Sequence, residues 1–161
     1  MRLLASTDFA LRILMVLGRQ SSDALLTVET LATSLGGLSR NHLHKIVQDL
    51  AALGIIRTVR GAGGGVALAK PLHDVRLGAL IQALENNQHL VECFRVDGGD
   101  CTFDCGCRLR RLLGEAQSMF YRSLDEWTLA DCVPLDSTGS ARLSPRKPAD
   151  NSKSKRDAAA A

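Results

Sequence analysis

The chain has 161 residues, 45% of them hydrophobic and only 4% aromatic, so it can form one compact domain with an accessory helix or tail and a core of Leu, Ile, Val and Ala. No apolar run approaches the length of a membrane span, and Met1-Arg2-Leu3-Leu4 meets Asp8 and Arg12 too soon for the core of a secretory signal. The formal net charge of +3 divides into +4 over 1–76, −4 over 77–133 and +3 over 134–161, which polarises the front half towards a polyanion.

Ala10, Ile13, Leu14 and Leu17 recur at helical spacing, predicting a helix from about Thr7 to Gly18. Thr27 is then placed to cap a short helix carrying Val28, Leu31, Ala32 and Leu35 on one face, and Gly36-Gly37 ends it. Ser39 caps the next helix, whose buried stripe is Leu43, Ile46, Val47 and Leu50. Its other face presents Arg40, Asn41, His44, Lys45 and Gln48. Two short helices around a glycine turn, the second with a polar basic face, suit a helix-turn-helix, although two packed helices with a wet outer face read the same way.

Residues 55–60 read as a strand, Gly61-Ala62-Gly63-Gly64-Gly65 as a tight turn, and residues 66–69 as the return strand. A hairpin directly after the second helix makes a wing: Gly63 and Gly64 allow close approach to a sugar–phosphate backbone, and Arg57 and Arg60 supply charge. A nucleotide phosphate loop would need a Lys-Ser/Thr ending or a βαβ setting, and neither is present.

Pro71 closes the hairpin, and Asp74 is placed to cap a helix with Leu77, Leu80, Ile81 and Leu84 on its apolar stripe. A polar loop from Asn86 to Cys107 holds four of the five cysteines. A long helix follows from about Arg108 to Trp127, with Leu109, Leu112, Leu113, Ala116, Phe120, Leu124 and Trp127 along one stripe. A matching helix from a second subunit would bury that stripe, and a two-fold dimer would suit a palindromic site on double-stranded DNA; packing back on the same subunit is the alternative. From Pro134 onwards, prolines, Ser, Lys and a closing alanine run read as a disordered basic tail.

Cys93, Cys101, Cys105 and Cys107 fall within fifteen residues, while Cys132 stands apart. An odd count in a chain expected in the reducing cytoplasm argues for metal binding or reactive thiols over a disulfide framework. Clustered thiolates are soft ligands for an iron–sulfur cluster or zinc. Arg95, Arg108, Arg110 and Arg111 lie around them, and Gly98, Gly99 and Gly106 let the loop fold around an inorganic core. Structural zinc prefers paired ligands two to four residues apart, which Cys105-Gly106-Cys107 and the wide Cys93–Cys101 gap do not match. Zinc and a thiol redox role for Cys105 and Cys107 remain the rival readings, though no βαβ pattern accompanies the dithiol.

Several segments resemble the family of winged-helix iron–sulfur repressors that includes NsrR and IscR. They are Thr7-Asp8-Phe9-Ala10-Leu11-Arg12, Ser39-Arg40-Asn41-His42-Leu43 with Lys45-Ile46, and Arg60-Gly61 with the following glycines. Glu92-Cys93-Phe94, Cys101, Cys107-Arg108-Leu109-Arg110, Leu124-Asp125 and Thr128-Leu129-Ala130-Asp131 resemble the NsrR branch in particular. The first cysteine gap is wider than in many of that branch, and Cys105 is an addition.

The resemblance covers residues 1–133 and implies a mainly α fold with a small β-hairpin wing: a winged helix-turn-helix over 1–72, a linking helix and cysteine loop over 73–107, and a long dimerisation helix over 108–133, followed by the tail over 134–161. It further implies a non-enzymatic DNA-binding repressor, a homodimer, whose cluster senses nitric oxide. Cys93, Cys101 and Cys107 would be its ligands, with Asp8 contributed by the partner subunit; a helix-start acid is the plainer reading of Asp8. Three thiolates and one oxygen ligand point to a 4Fe-4S cluster, with a 2Fe-2S cluster as alternative. An iron-responsive or cluster-biogenesis regulator would share every one of these parts.

Overall fold

The computed structural model describes residues 2–21, 24–36, 38–86, 88–103 and 106–133; the tail expected over 134–161, the Gly37 break and Cys105 lie outside them. Helix α1 (Ala5–Leu17) buries Ala10, Ile13, Leu14 and Leu17, and Gly18 follows as its C-cap. Helix α2 (Val28–Ser34) starts where expected, because the Thr27 hydroxyl accepts a hydrogen bond from the Thr30 amide at 3.1 Å. At α3 (Arg40–Ala52) the Ser39 hydroxyl accepts from the His42 amide at 3.4 Å. The expected stripe of Leu43, Ile46, Val47 and Leu50 faces the core, where it meets Ile13, Leu14 and Leu31.

Strands β1 (Ile56–Val59) and β2 (Gly65–Leu68) form an antiparallel hairpin in which Ile56 opposes Leu68 and Val59 opposes Gly65. Ile56 and Val66 turn inward while Arg57, Thr58 and Val59 stay exposed, so the ribbon is anchored at its base and free at its tip. Leu26 extends the ribbon by exchanging backbone hydrogen bonds with Val66 at 3.0 and 2.8 Å. That approach requires glycine at 65, since a Cβ there would lie 2.7 Å from the Leu26 carbonyl oxygen.

Two expectations need correction further on. Asp74 does not cap α4 (Leu77–Leu84): it ends a 3-10 turn over Leu72–Asp74, and the N-cap position is Arg76, which offers no side-chain bond to the helix. The cap arrives from elsewhere, as the Ala79 amide donates to Asp125 Oδ1 at 2.7 Å. Helix α5 (Arg108–Leu124) also ends short of Trp127. Beyond Asp125 the backbone is drawn against the start of α4: the Leu77 amide donates to the Trp127 carbonyl at 3.1 Å, and Arg76 bridges Thr128. These bonds compete successfully with another helical turn. The chain then forms α6 (Leu129–Cys132), which starts in a Thr128–Asp131 capping box and places Leu129 wholly within the core around α1.

Candidate nucleic-acid interface and metal centre

Burial of the apolar stripe of α3 leaves Arg40, Asn41, His44, Lys45 and Gln48 exposed on one solvent face. Arg57 on β1 and Arg60 at the start of the turn are exposed as well, as is Gly63; Gly64 is half-buried. Gly61 and Gly63 take φ of 100° and 80°, and a Cβ on Gly64 would lie 2.3 Å from the Val59 carbonyl oxygen. The wing tip is thus built for glycine on steric grounds alone. Every residue predicted for this interface is therefore on an accessible helix face or on the hairpin beside it.

Two arrangements on this side were not legible beforehand. Glu29 of α2 forms an ion pair with Arg40 at the start of α3, orienting that guanidinium across the helix-turn-helix. In α1, Asp8 Oδ2 pairs with Arg12 at 2.6 Å, the Arg12 guanidinium lies 5.6 Å from the centre of the Phe9 ring, and Phe9 meets His42 of α3 edge-on with ring centroids 5.9 Å apart. A half-exposed carboxylate on α1 is thereby connected by contacts to the first turn of α3.

The cysteines occupy three different settings. Cys93 sits in a 3-10 turn (Glu92–Phe94), Cys101 in the following loop and Cys107 at the N-cap of α5. All three are free thiols at intermediate exposure. Asp8 lies on α1 in its pair with Arg12. Among the described residues no three His, Cys, Asp or Glu side chains converge on a single metal position. In donor chemistry the set suits an iron–sulfur core, whose separate irons take separate thiolates, better than one tetrahedral zinc. The dithiol reading rests on Cys105, outside the described residues.

Charge around Cys107 is unusual. The first turn of α5 carries Arg108, Arg110 and Arg111 and no acid, whereas the partial positive charge at a helix N-terminus favours acidic neighbours. Beside this turn, an open cavity of about 760 Å³ between α4 and α5 is lined by Glu85, His89, Phe94, Cys107, Arg110 and Tyr121, among others. Glu85 is buried, and one carboxylate oxygen accepts the Leu4 amide at 2.9 Å, which ties the end of α4 to the start of α1. Helix α5 itself is poorly covered: Leu109 and Met119 are 62% and 63% exposed, Leu112 is exposed too, and Tyr121 is its one buried residue.

A two-helix reading unit followed by a two-stranded wing defines a winged-helix DNA-binding protein. Residues 3–134 match the family model described as Rrf2, iron-dependent transcriptional regulator, and the chain belongs to this family of transcriptional regulators. Its relatives include the HTH-type transcriptional regulators NsrR of Halalkalibacterium halodurans and Geobacillus kaustophilus, 39% and 41% identical over 133 residues, which is 83% of this chain and 90% of each relative. NsrR of Bacillus subtilis is 33% identical over the same length. The fold is shared with IscR of T. potens (TM-score 0.63, 23% identity, 82% of this chain and 85% of that one) and with CymR, the global cysteine regulator of B. subtilis (TM-score 0.63, 21% identity, 82% and 95%). Among the described residues no helix is long and apolar enough to cross a membrane.

Proposed function

We propose that this protein is a homodimeric repressor whose hold on a palindromic operator depends on an iron–sulfur cluster sensing nitric oxide. Cys93, Cys101 and Cys107 are the protein's sulfur ligands in this reading, Asp8 of the partner subunit supplies the remaining oxygen ligand, and a 4Fe-4S core fits that donor count. The observation that carries the reading is the first turn of α5. Arg111 pairs with Glu115 one turn further on at 2.8 Å, which leaves Arg108 and Arg110 at the positive end of the helix to favour an anionic group held beside them, and Cys107 is the N-cap residue of that same turn. A cluster with thiolate ligands is such a group, and it would supply iron sites that nitric oxide attacks.

The remaining roles belong to the chain's own residues. Arg40, Asn41, His44, Lys45 and Gln48 offer donors to base edges and phosphates in the major groove, while Arg57, Arg60, Gly63 and Gly64 approach the backbone and minor groove. The exposed Leu109, Leu112 and Met119 stripe of α5 is the surface on which a second copy would pack, spacing the two α3 helices for half-sites one helical turn apart. Engaging Asp8 elsewhere releases Arg12, and the Phe9–His42 contact passes the change to α3. A change of about 3 kcal/mol in operator binding corresponds to roughly a hundredfold change in affinity.

Anaerobically purified protein is expected to be brown, to contain iron and sulfide, and to lose operator affinity when titrated with nitric oxide. The Cys101→Ala variant is expected to lack the chromophore and tight operator binding while keeping its helical content. Normal operator binding by that variant would sink the reading. The family description, iron-dependent, favours a second reading in which iron supply is the signal. Loss of DNA binding with a chelator but not with nitric oxide would select it.

A further inference from the structure

Within the segment between Cys93 and Cys101, Phe94 is half-buried and faces Gly114 of α5, and the residues that follow it are held by charge. Arg95 grips Asp97 with two prongs, Nε to Oδ1 at 3.0 Å and Nη2 to Oδ2 at 2.8 Å, and donates from Nη1 to Glu92 Oε1 at 2.9 Å. Asp97 Oδ1 also accepts the Gly99 amide at 3.0 Å. The backbone closes over the same stretch: the Arg95 amide donates to the Glu92 carbonyl at 3.1 Å and the Gly98 amide to the Arg95 carbonyl at 3.0 Å. Gly98 and Gly99 take φ of 76° and 56°, and a Cβ on Gly99 would lie 2.6 Å from Glu92 Cγ and Oε1, so Glu92 lies directly against that glycine. Meanwhile Val96, at the tip, is completely exposed. After Phe94, a stretch with an apolar residue fully in water and charged side chains on one another is not being held by a core.

We infer that Arg95 is a positioning residue: its bridge between Glu92 and Asp97 pre-orders the stretch from Cys93 to Cys101 in the conformation that takes up the cluster. The inference rests on the cluster reading above for its purpose, though the ordering itself does not. Exposed single ion pairs contribute little, but a two-pronged Arg–carboxylate contact shared with a second acid fixes orientation as well as proximity. The ordering lowers the conformational cost of gathering sulfurs that are otherwise spread along a glycine-containing loop. Arginine does this better than lysine, a point charge that can neutralise the acids but cannot fork onto one carboxylate while reaching another.

The test compares full-length wild-type, Arg95→Met, Arg95→Lys and Asp97→Asn proteins, with far-UV circular dichroism and thermal midpoint confirming the fold. In metal-free protein, iodoacetamide labelling read by peptide mass is expected to be about fivefold faster at Cys93 and Cys101 in Arg95→Met, and unchanged at Cys132. Anaerobic loading with ferrous iron and sulfide, followed by visible absorbance, is expected to slow by a similar factor in Arg95→Met and Asp97→Asn, with Arg95→Lys recovering part of the rate. Labelling and loading at wild-type rates in both the Met and Asn variants would overturn the inference. If wild-type protein takes up no iron and sulfide, the cluster reading fails, and the labelling arm alone then decides whether Arg95 orders the loop.

Discussion

The Asp125 carboxylate, just past the end of α5, caps α4 by accepting the Ala79 amide at 2.7 Å. The same residue's backbone carbonyl accepts Arg76 Nη1 at 3.2 Å. Helix α4 begins without a side-chain cap of its own, and its Leu77 and Ala79 amides are satisfied by the chain that leaves α5. The helix bearing the candidate dimer stripe and the helix leading to the cysteine loop are thus fastened to each other at one end.

Replacing Asp125 with Ala should cost about 1 kcal/mol, the usual effect of deleting a helix cap, and should lower the denaturant midpoint without changing the slope. Gly78→Ala should cost more, about 1–3 kcal/mol, because its Cβ would sit 2.1 Å from the Tyr121 carbonyl oxygen and push α5 away. Urea titrations of both variants against wild type check the order. A Gly78→Ala protein as stable as wild type would show that α4 and α5 are not packed this closely.

On the DNA side, Lys45→Ala should weaken operator and random DNA alike and reduce the slope of log affinity against log salt by about 1, as expected of a phosphate contact. Asn41→Ala should instead lower the ratio of operator to random binding, at a cost of about 1–3 kcal/mol for the operator. Fluorescence anisotropy at several salt concentrations separates the two behaviours.

Leu112→Glu combined with Met119→Glu places charge on the exposed stripe of α5 without touching the core. The double variant should sediment as a monomer and lose most of its affinity for a two-half-site operator while binding a single half-site as before. An unchanged sedimentation coefficient would mean that a different surface joins the subunits.

Acid should loosen α6. The Thr128 amide and hydroxyl donate to Asp131 Oδ2 at 2.8 and 2.7 Å, and these bonds hold the Asp131 carboxyl below the usual carboxylate range. A lowered folded-state value means the contribution is fully present above the unfolded value of about 4 and is lost as the pH falls through the folded value. Wild-type stability should therefore decline more steeply below about pH 4 than that of Asp131→Asn, in thermal melts taken at half-unit steps. Parallel profiles would mean the capping box contributes nothing.

The local elements of this protein were determined by the sequence alone. Thr27 and Ser39 announced the starts of α2 and α3, the 3.6-residue stripes named the buried faces of α1, α3 and α4, and the glycine run marked the wing. The cysteine loop was equally visible, because soft donors within fifteen residues need no fold to be noticed. These signals act within a turn or two of chain, where spacing is geometry. Only the tertiary structure decided which distant residues meet: Asp125 with Ala79 across 46 positions, Glu85 with Leu4 across 81, Phe9 with His42, and Leu129 with the core around α1. Such pairs leave no periodic trace, since their proximity is set by how the helices pack and where the chain turns back, and a carboxylate that caps another helix looks in sequence like any other acid on a surface.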